Sequence, residues 1–215
     1  MPIASRITNI RKTLPKGVNM VCVSKFHPAD AIMQAYNAKE RDFGESRVQE
    51  LLCKYEILPK DIRWHFIGHL QTNKVKQIVP FVYMIHSVDS LRLMEIINRE
   101  AERIQRRIKV LLEVHVAREE TKTGFTPQEL LLLNSQLLNF KNIEICGIMG
   151  MATNTENQEE WRRCFREIHN LAYQLSLNYV SPIISMGMSD DYLVAIEEGS
   201  NMVRIGSTIF GERQY

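Results

Sequence analysis

Lys25 is the residue whose position in this sequence most favours covalent chemistry. It directly follows the apolar run VNMVCVS (18–24), so its aliphatic stem is expected to be buried and its amine poorly hydrated. Poor hydration favours the uncharged amine of a lysine, which can then form a Schiff base with an aldehyde or a ketone. The alternative is a lysine that extends its ammonium group out of the fold into water.

A second group of residues could bind an anion. Ser189 and the pair Gly206-Ser207 each follow a short apolar run, where backbone N–H groups at a helix start are available to a phosphate. Gly206 would let the backbone approach the anion closely, and Ser207 would add a hydroxyl group. For Ser189 the alternative is an ordinary N-cap of the helix that passes through Leu193 and Ile196.

Two further polar residues lie at comparable positions. Arg204 interrupts the apolar run MVRIG (202–206), where a permanent charge is costly unless it has a partner. It could face a ligand, or it could form a structural salt bridge inside the fold. Ser46 begins a helical pattern and has Gln49 three residues later, so a capping box accounts for it.

The elements that carry these residues alternate regularly along the chain. Eight apolar runs are predicted to be strands: VNMVCVS (18–24), RDFG (41–44), WHFIG (64–68), VYMIHSV (82–88), IKVLLEVHV (108–116), IEICGIMGM (143–151), PIISMGM (182–188) and MVRIG (202–206). Apolar strands that alternate with helices indicate a parallel sheet that is covered on both faces or closed on itself. The pattern predicts one α/β domain over 1–215, a (β/α)8 TIM barrel. A doubly wound open sheet is the alternative, although the sequence has no GxGxxG motif after its first strand and no P-loop.

The predicted helices have recognisable faces and starts. Residues 1–15 form an extra helix packed on the barrel, with an apolar face made of Ile3, Ile7, Ile10 and Leu14. The longest helix is predicted over about 156–177. Capping boxes are predicted in TPQE (126–129) and where Thr155 is followed by Gln158.

The composition excludes several classes of protein. Lys+Arg 27 against Asp+Glu 25 gives a net charge of only +2, so nucleic-acid binding is not expected. No apolar run approaches the roughly 18 residues of a membrane span, and the N-terminal segment lacks the apolar core of a secretory signal. Four cysteines without zinc-ligand spacing are predicted to be reduced core or near-core thiols of a cytoplasmic protein: Cys22, Cys53, Cys146 and Cys164.

The histidines are not expected to form a metal site. His65, His86 and His115 lie in predicted strands without metal-like spacing, so they are expected to be core or interface residues. His69 follows Gly68 and is expected to be a hydrogen-bonded structural histidine, with the orientation of a neighbouring loop as the alternative.

In a barrel, the polar residues described above would meet. Active sites of this fold lie on the loops that follow the strands, and phosphate commonly binds after strands seven and eight. A lysine, an arginine and a phosphate site together suit a phosphorylated aldehyde. Pyridoxal 5′-phosphate (PLP) fits with an imine at Lys25, its phosphate at Ser189, Gly206 and Ser207, and its ring nitrogen facing Arg204. An arginine keeps its own proton, so the ring would be a weak electron sink.

These segments resemble the pyridoxal-phosphate-binding homeostasis protein family, which is related in fold to the barrel domain of alanine racemase. The matching segments are Val23-Ser24-Lys25, FGESRVQE (43–50), WHFIGHLQTNK (64–74), GIMGMA (147–152), SMGMSDD (185–191) and GSNMVRIGSTIFGER (199–213). The resemblance implies that Lys25 carries the cofactor as an internal aldimine. It also implies that the phosphate is held by Ser189, Gly206 and Ser207, and that Arg204 faces the pyridine nitrogen. Ser46 stands where the family usually has asparagine, so any contact with the ring would come from a shorter side chain.

The resemblance predicts reversible PLP binding in vitamin B6 homeostasis, without catalytic turnover. A racemase needs two bases, and alanine racemases take the second from an additional β-domain and a partner subunit. The chain ends at Tyr215, directly after its last helix, so no such domain and no catalytic residue are expected. A weak PLP-dependent amino-acid racemase and a cofactor-free Schiff-base aldolase are the alternatives. The expected partners are PLP and PLP-dependent apoenzymes, and the expected state is a monomer or weak dimer.

Overall fold

The protein folds into a closed parallel barrel, seen in a computed structural model that describes residues 1–119, 123–175 and 181–212. The strands follow one another around the barrel in chain order: β1 (Asn19–Val23), β2 (Asp42–Glu45), β3 (Arg63–Phe66), β4 (Met84–Val88), β5 (Ile108–Val114), β6 (Ile143–Gly150), β7 (Ile183–Ser185) and β8 (Met202–Ile205). Closure is made by β8 pairing in parallel with β1, from Asn19 opposite Met202 to Cys22 opposite Ile205. The predicted TIM barrel is confirmed, and the open-sheet alternative is wrong.

Helices cover the outside of the barrel. They are α1 (Ile3–Thr13), α2 (Ala29–Asn37), α3 (Val48–Ile57), α4 (Val75–Ile78) after a 3₁₀ turn (Thr72–Lys74), α5 (Leu91–Arg103), α6 (Pro127–Leu137), α7 (Gln158–Gln174), α8 (Tyr192–Glu197) and α9 (Ser207–Phe210). The extra helix α1 is confirmed, since it buries Ile7 and Ile10 and packs against α2 and α9. Residues 176–177 of the predicted long helix lie outside the described residues, as does Arg213 of the last matching segment.

One of the three predicted capping boxes forms, the one at Thr126. Thr126 caps α6 by accepting the Glu129 N–H, while the Glu129 carboxylate accepts the Thr126 N–H. The box predicted at Thr155 is wrong because its hydroxyl accepts the Asn157 N–H in a turn before the helix. Helix α7 therefore starts two residues later, and Asn157 caps it by accepting the Glu159 N–H.

Helix α3 buries Lys54 and exposes the neighbouring Cys53, which the sequence pattern predicts to be buried or nearly so. The prediction that Cys53 is a core or near-core thiol is therefore wrong. Cys22 and Cys164 are buried, and all four cysteines are free. Within the described part of the chain, no helix is long and apolar enough to cross a membrane.

The strand histidines occupy different depths in the barrel. His65 and His86 are fully buried, as predicted for core residues, whereas His115 is only half-buried. His69 Nδ1 lies 3.0 Å from a carboxylate oxygen of Asp89. This contact joins the loops that follow β3 and β4, so the hydrogen-bonded structural histidine predicted at position 69 is confirmed.

Candidate functional site

The six residues predicted to bind a cofactor line one pocket at the mouth of the barrel. The pocket has a volume of about 270 Å³, and the six residues are Lys25, Ser46, Ser189, Arg204, Gly206 and Ser207. They lie on or directly after β7, β8, β1 and β2, which are consecutive neighbours around the closed barrel. Closure between β8 and β1 therefore unites residues from the two ends of the sequence.

Lys25 lies half-buried in a tight turn after β1. The turn is closed by the His27 N–H, which donates to the Ser24 carbonyl at 3.1 Å. Phe26, the residue between Lys25 and His27, has a φ of 68°, in the left-handed region that non-glycine residues rarely adopt. Such a conformation costs on the order of 1–3 kcal/mol and persists only where the surroundings impose it.

A buried ionic cluster imposes this turn from behind. The Lys54 ammonium group on α3 donates to Ser24 O at 2.8 Å and to Glu45 Oε1 and Glu50 Oε1, each at 2.7 Å. The Phe26 N–H donates to the same Glu50 oxygen at 2.6 Å. Both chain neighbours of Lys25 are thus fixed by one cluster, which we call the Lys54 cluster: Ser24, Glu45, Glu50 and Lys54.

Glu45 is the fully buried carboxyl group of the Lys54 cluster. Burial raises the pKa of its carboxyl group to about 7, against the opposing effects of Lys54 and of the Ser24 hydroxyl, which donates at 2.6 Å. Its second oxygen, Oε2, is buried without a hydrogen-bond partner in the described residues. The cluster therefore contains a carboxyl group that changes charge near neutral pH.

Ser189, Gly206 and Ser207 form a polar wall of the pocket. The Gly206 N–H donates to Ser189 Oγ at 3.3 Å, which joins the loops after β7 and β8. The N-cap alternative for Ser189 is wrong, because α8 begins after Asp191. The Asp191 carboxylate accepts the Met188 N–H at 2.6 Å, which closes the turn before the helix without Ser189.

Ser46 also lines the pocket and does not cap a helix. Helix α3 begins after Arg47 and has no side-chain capping bond, so the capping-box interpretation is wrong. The end of β3 packs closely on Ser46 instead, since a Cβ at Gly68 would lie 2.3 Å from the Ser46 carbonyl oxygen. This close packing leaves no room for a side chain at position 68.

Arg204 is a buried cation that lines the pocket. Its Nη1 donates to the carbonyl and the hydroxyl of Ser185, each at 2.7 Å, and its Nη2 donates to Gly150 O at 3.1 Å. The salt-bridge alternative is wrong for the part of the chain the structure describes, where these acceptors are uncharged. Burial lowers the pKa of Arg204 to about 10, against the attraction of Asp191 and Glu113, so it stays protonated at neutral pH.

The pocket also has lining residues that the sequence analysis did not single out. They are Val23, His27, Ile67, Met149, Met151, Met188, Asp190 and Gly211. His27 stacks on Phe210 with ring centroids 5.0 Å apart. Four of them follow a strand end within a quoted segment, and these are Ile67, Met151, Met188 and Asp190. Position after a strand was the signal that could have identified them.

Comparisons with known proteins agree on one family. The family described as "Alanine racemase, N-terminal domain" matches residues 2–214. The pyridoxal phosphate homeostasis protein of Aquifex aeolicus is 41% identical over 219 residues, covering 99% of this chain and 96% of that protein. The protein of the same name from Schizosaccharomyces pombe is 40% identical over 202 residues, covering 92% of this chain and 85% of that protein.

Solved structures give the same result. PipY of Synechococcus elongatus PCC7942, solved with PLP bound, superposes with a TM-score of 0.90 at 36% identity, covering 97% of this chain and all of that one. An alanine racemase of Clostridium difficile has a TM-score of 0.82 at 16% identity, covering 99% of this chain and 57% of that one, which shows a shared fold. The chain belongs to the pyridoxal phosphate homeostasis protein family, whose barrel is of the alanine racemase N-terminal type.

Proposed function

We propose that this protein binds PLP through Lys25 and acts in PLP homeostasis without catalytic turnover. The observation that carries the proposal is the convergence of an amine, a hydroxyl-lined wall and a buried guanidinium on one pocket of about 270 Å³. The names of the relatives and the PLP-bound PipY structure support the same ligand. PLP supplies an aldehyde that condenses with an amine, and a conjugated ring that can withdraw electrons.

The residues of the pocket fit the three ends of PLP. Lys25 offers the amine for the aldehyde, and the Lys54 cluster orients its backbone. Ser189, Gly206 and Ser207 offer hydroxyl and backbone donors to the phosphate. Arg204 can only donate hydrogen bonds, so it suits the lone pair of an unprotonated ring nitrogen. Ser46 lies along the same pocket and is the expected neighbour of the ring.

One property of the pocket and the names of the relatives support carriage over catalysis. Arg204 keeps its proton, so the ring nitrogen beside it stays unprotonated and the ring withdraws electrons weakly. The relatives are named as homeostasis proteins. The alternative is a weak amino-acid racemase, which needs a second proton-exchanging group besides Lys25. Of the described lining residues, His27 and Asp190 are the groups that could fill this role.

The remaining proposals concern the surroundings of the protein. We propose that it works in the cytoplasm as a monomer or weak dimer, and that PLP-dependent apoenzymes receive its cofactor. A transfer assay tests the last point, with a competing amine present to capture free PLP. Under these conditions the PLP-loaded protein should activate an apoenzyme faster than the same amount of free PLP does. Equal activation would contradict direct transfer.

Absorption spectroscopy tests the assignment of Lys25. Purified protein incubated with PLP should gain the band of a protonated imine, and Lys25→Ala should abolish it. Lys12→Ala is the matched control because Lys12 is exposed on α1. A wild-type protein that stays colourless would contradict PLP binding and favour the cofactor-free aldolase. A band retained in Lys25→Ala would contradict the assignment of the lysine.

A racemase assay at high protein concentration separates carrier from catalyst. The proposal predicts no enantiomer conversion above that of free PLP. Robust turnover that is lost in His27→Ala or Asp190→Asn would overturn the carrier assignment and identify the second base.

A further inference from the structure

We propose that Arg204 is positioned for its ligand by a hydrogen-bonded chain that crosses the barrel, formed by Ser185, His86, His65 and Asp42. The inference rests on the proposed function, because Arg204 acts on PLP only if the pocket binds it. Ser185, His86 and His65 are buried polar groups that do not line the pocket, and Asp42 is half-buried. They connect the cofactor end of the barrel to its opposite end.

The chain consists of four consecutive links. Arg204 Nη1 donates to Ser185 Oγ at 2.7 Å, and Ser185 Oγ lies 3.2 Å from His86 Nδ1. His86 Nε2 lies 2.8 Å from His65 Nδ1, and His65 Nε2 lies 3.0 Å from Asp42 Oδ1. Ser185, His86 and His65 are fully buried. Asp42 begins β2, so the chain ends at the side of the barrel away from the pocket.

One assignment of protons satisfies every link. Arg204 can only donate, so Ser185 Oγ accepts from it and gives its own proton to His86 Nδ1. His86 then carries its proton on Nε2 and donates to His65 Nδ1. His65 in turn carries its proton on Nε2 and donates to the Asp42 carboxylate. Every donor therefore points from Arg204 towards Asp42.

This direction suits the charges at the two ends. Each link presents an acceptor towards the guanidinium and a donor towards the carboxylate, so the aligned dipoles stabilise both ions. Burial alone would raise the pKa of Asp42, but hydrogen bonds from Arg63 and His65 outweigh it and lower the pKa, keeping the group ionised. Burial also lowers the pKa of His86, and the charge of Arg204 adds to this effect, so its imidazole is neutral as the assignment requires.

Arg204 depends on this support because its contacts in the described residues are uncharged. Besides the Ser185 hydroxyl, it donates to the carbonyls of Ser185 and Gly150. The chain thus fixes the guanidinium plane, while the charges of Asp191 and Glu113 favour the cation. If the chain only satisfied buried polar groups, breaking it would lower the stability of the protein alone. If it positions Arg204, breaking it would also weaken the binding of PLP.

The first measurement uses the ligand-free protein and is independent of PLP. Imidazole nitrogen shifts measured by NMR report which nitrogen carries the proton. We expect Nε2 in both His65 and His86. A proton on Nδ1 of His86 would overturn the chain whatever the result with ligand.

The second measurement uses the PLP-loaded protein and compares His86→Met with His86→Gln. Glutamine can accept through its carbonyl and donate through its amide, whereas methionine cannot donate. We expect His86→Met to weaken PLP binding roughly tenfold, as expected for one lost hydrogen bond near a charge, and to shift the absorption maximum. His86→Gln should restore both. If His86→Met folds poorly, Ser185→Ala breaks the same chain with a smaller change.

Ile97→Ala is the stability control, because Ile97 is fully buried on α5 and outside the chain. It should lower thermal stability without changing the affinity for PLP or the spectrum. If wild type fails to bind PLP, the proposed function is wrong, and the NMR result alone decides whether the chain exists. The positioning role is overturned if His86→Met binds PLP like wild type, or if Ile97→Ala weakens binding equally.

Discussion

Lys54→Met removes the ammonium group behind Lys25 while nearly preserving side-chain volume. The lost donor serves Ser24 O, Glu45 Oε1 and Glu50 Oε1, at 2.8, 2.7 and 2.7 Å. Removing one partner of a buried ion pair costs about 3–5 kcal/mol. Protonation of Glu45, whose pKa burial already raises to about 7, offsets part of that cost. We expect the free energy of unfolding to fall by about 3 kcal/mol, which lowers the melting temperature by roughly 6–12 °C.

The same substitution should also weaken PLP binding. Phe26 holds its φ of 68° because Glu50 accepts its N–H and Lys54 holds Glu50 in place. Relaxation of that residue releases strain on the order of 1–3 kcal/mol and displaces Lys25, so we expect affinity to fall about tenfold or more. Urea unfolding and titration of the imine band measure the two effects.

Two control variants make the test specific. Lys12→Met, on the exposed face of α1, should change neither stability nor binding. Adding Glu45→Gln to Lys54→Met removes the stranded carboxylate and should recover stability without recovering PLP affinity. If Lys54→Met stays within about 0.5 kcal/mol of wild type and binds PLP equally well, the Lys54 cluster does not position Lys25.

Three further predictions concern pH and the pocket. Burial raises the pKa of Glu45 from 4.5 to about 7, so the folded state binds this proton more tightly than the unfolded state. The stability that this group contributes is present below about pH 4.5 and is lost as the pH rises through 7. In Glu45→Gln the free energy of unfolding should therefore fall by roughly 1–3 kcal/mol less than in wild type between pH 5 and pH 8. Urea unfolding at each pH measures it, and the same pH dependence in both proteins would contradict this. Ser189→Ala should weaken PLP binding roughly fivefold. The binding of pyridoxal, which lacks the phosphate, should not change. Equal losses of affinity for both ligands in parallel titrations would refute a phosphate contact. Ser46→Asn introduces the residue that the family resemblance leads us to expect, and it should slow PLP release severalfold, as one added hydrogen bond implies. Dialysis against a competing amine measures the rate of release, and faster release would show that asparagine does not fit beside Gly68.

The barrel was predictable because its signals are periodic and local. Near-continuous apolar runs such as IKVLLEVHV (108–116) alternate with amphipathic helices, and this pattern alone requires a parallel sheet. The candidate site then followed from geometry, since a closed barrel brings all strand ends to one mouth. Lys25 and Arg204 line the same pocket although 178 residues (26–203) lie between them in the sequence.

The parts that could not be predicted depend on three-dimensional register. Ser46 and Ser189 each match a helix-start motif, but turns closed by other groups place the helix starts beyond them. Lys54 resembles a surface lysine in sequence, and only the packing of α3 against β2 and the turn after β1 shows that it is buried. His65 and His86 are 21 positions apart, and no sequence rule places their rings 2.8 Å from each other.

Borohydride reduction of the PLP-loaded protein, followed by peptide mass spectrometry, tests the central claim most directly. Reduction makes the bond between cofactor and lysine permanent, so the modified residue can be identified. The phosphopyridoxyl group is predicted on Lys25 at close to one per chain, with no other lysine modified to a comparable extent. Modification spread over surface lysines, or concentrated on a lysine other than Lys25, would contradict the account.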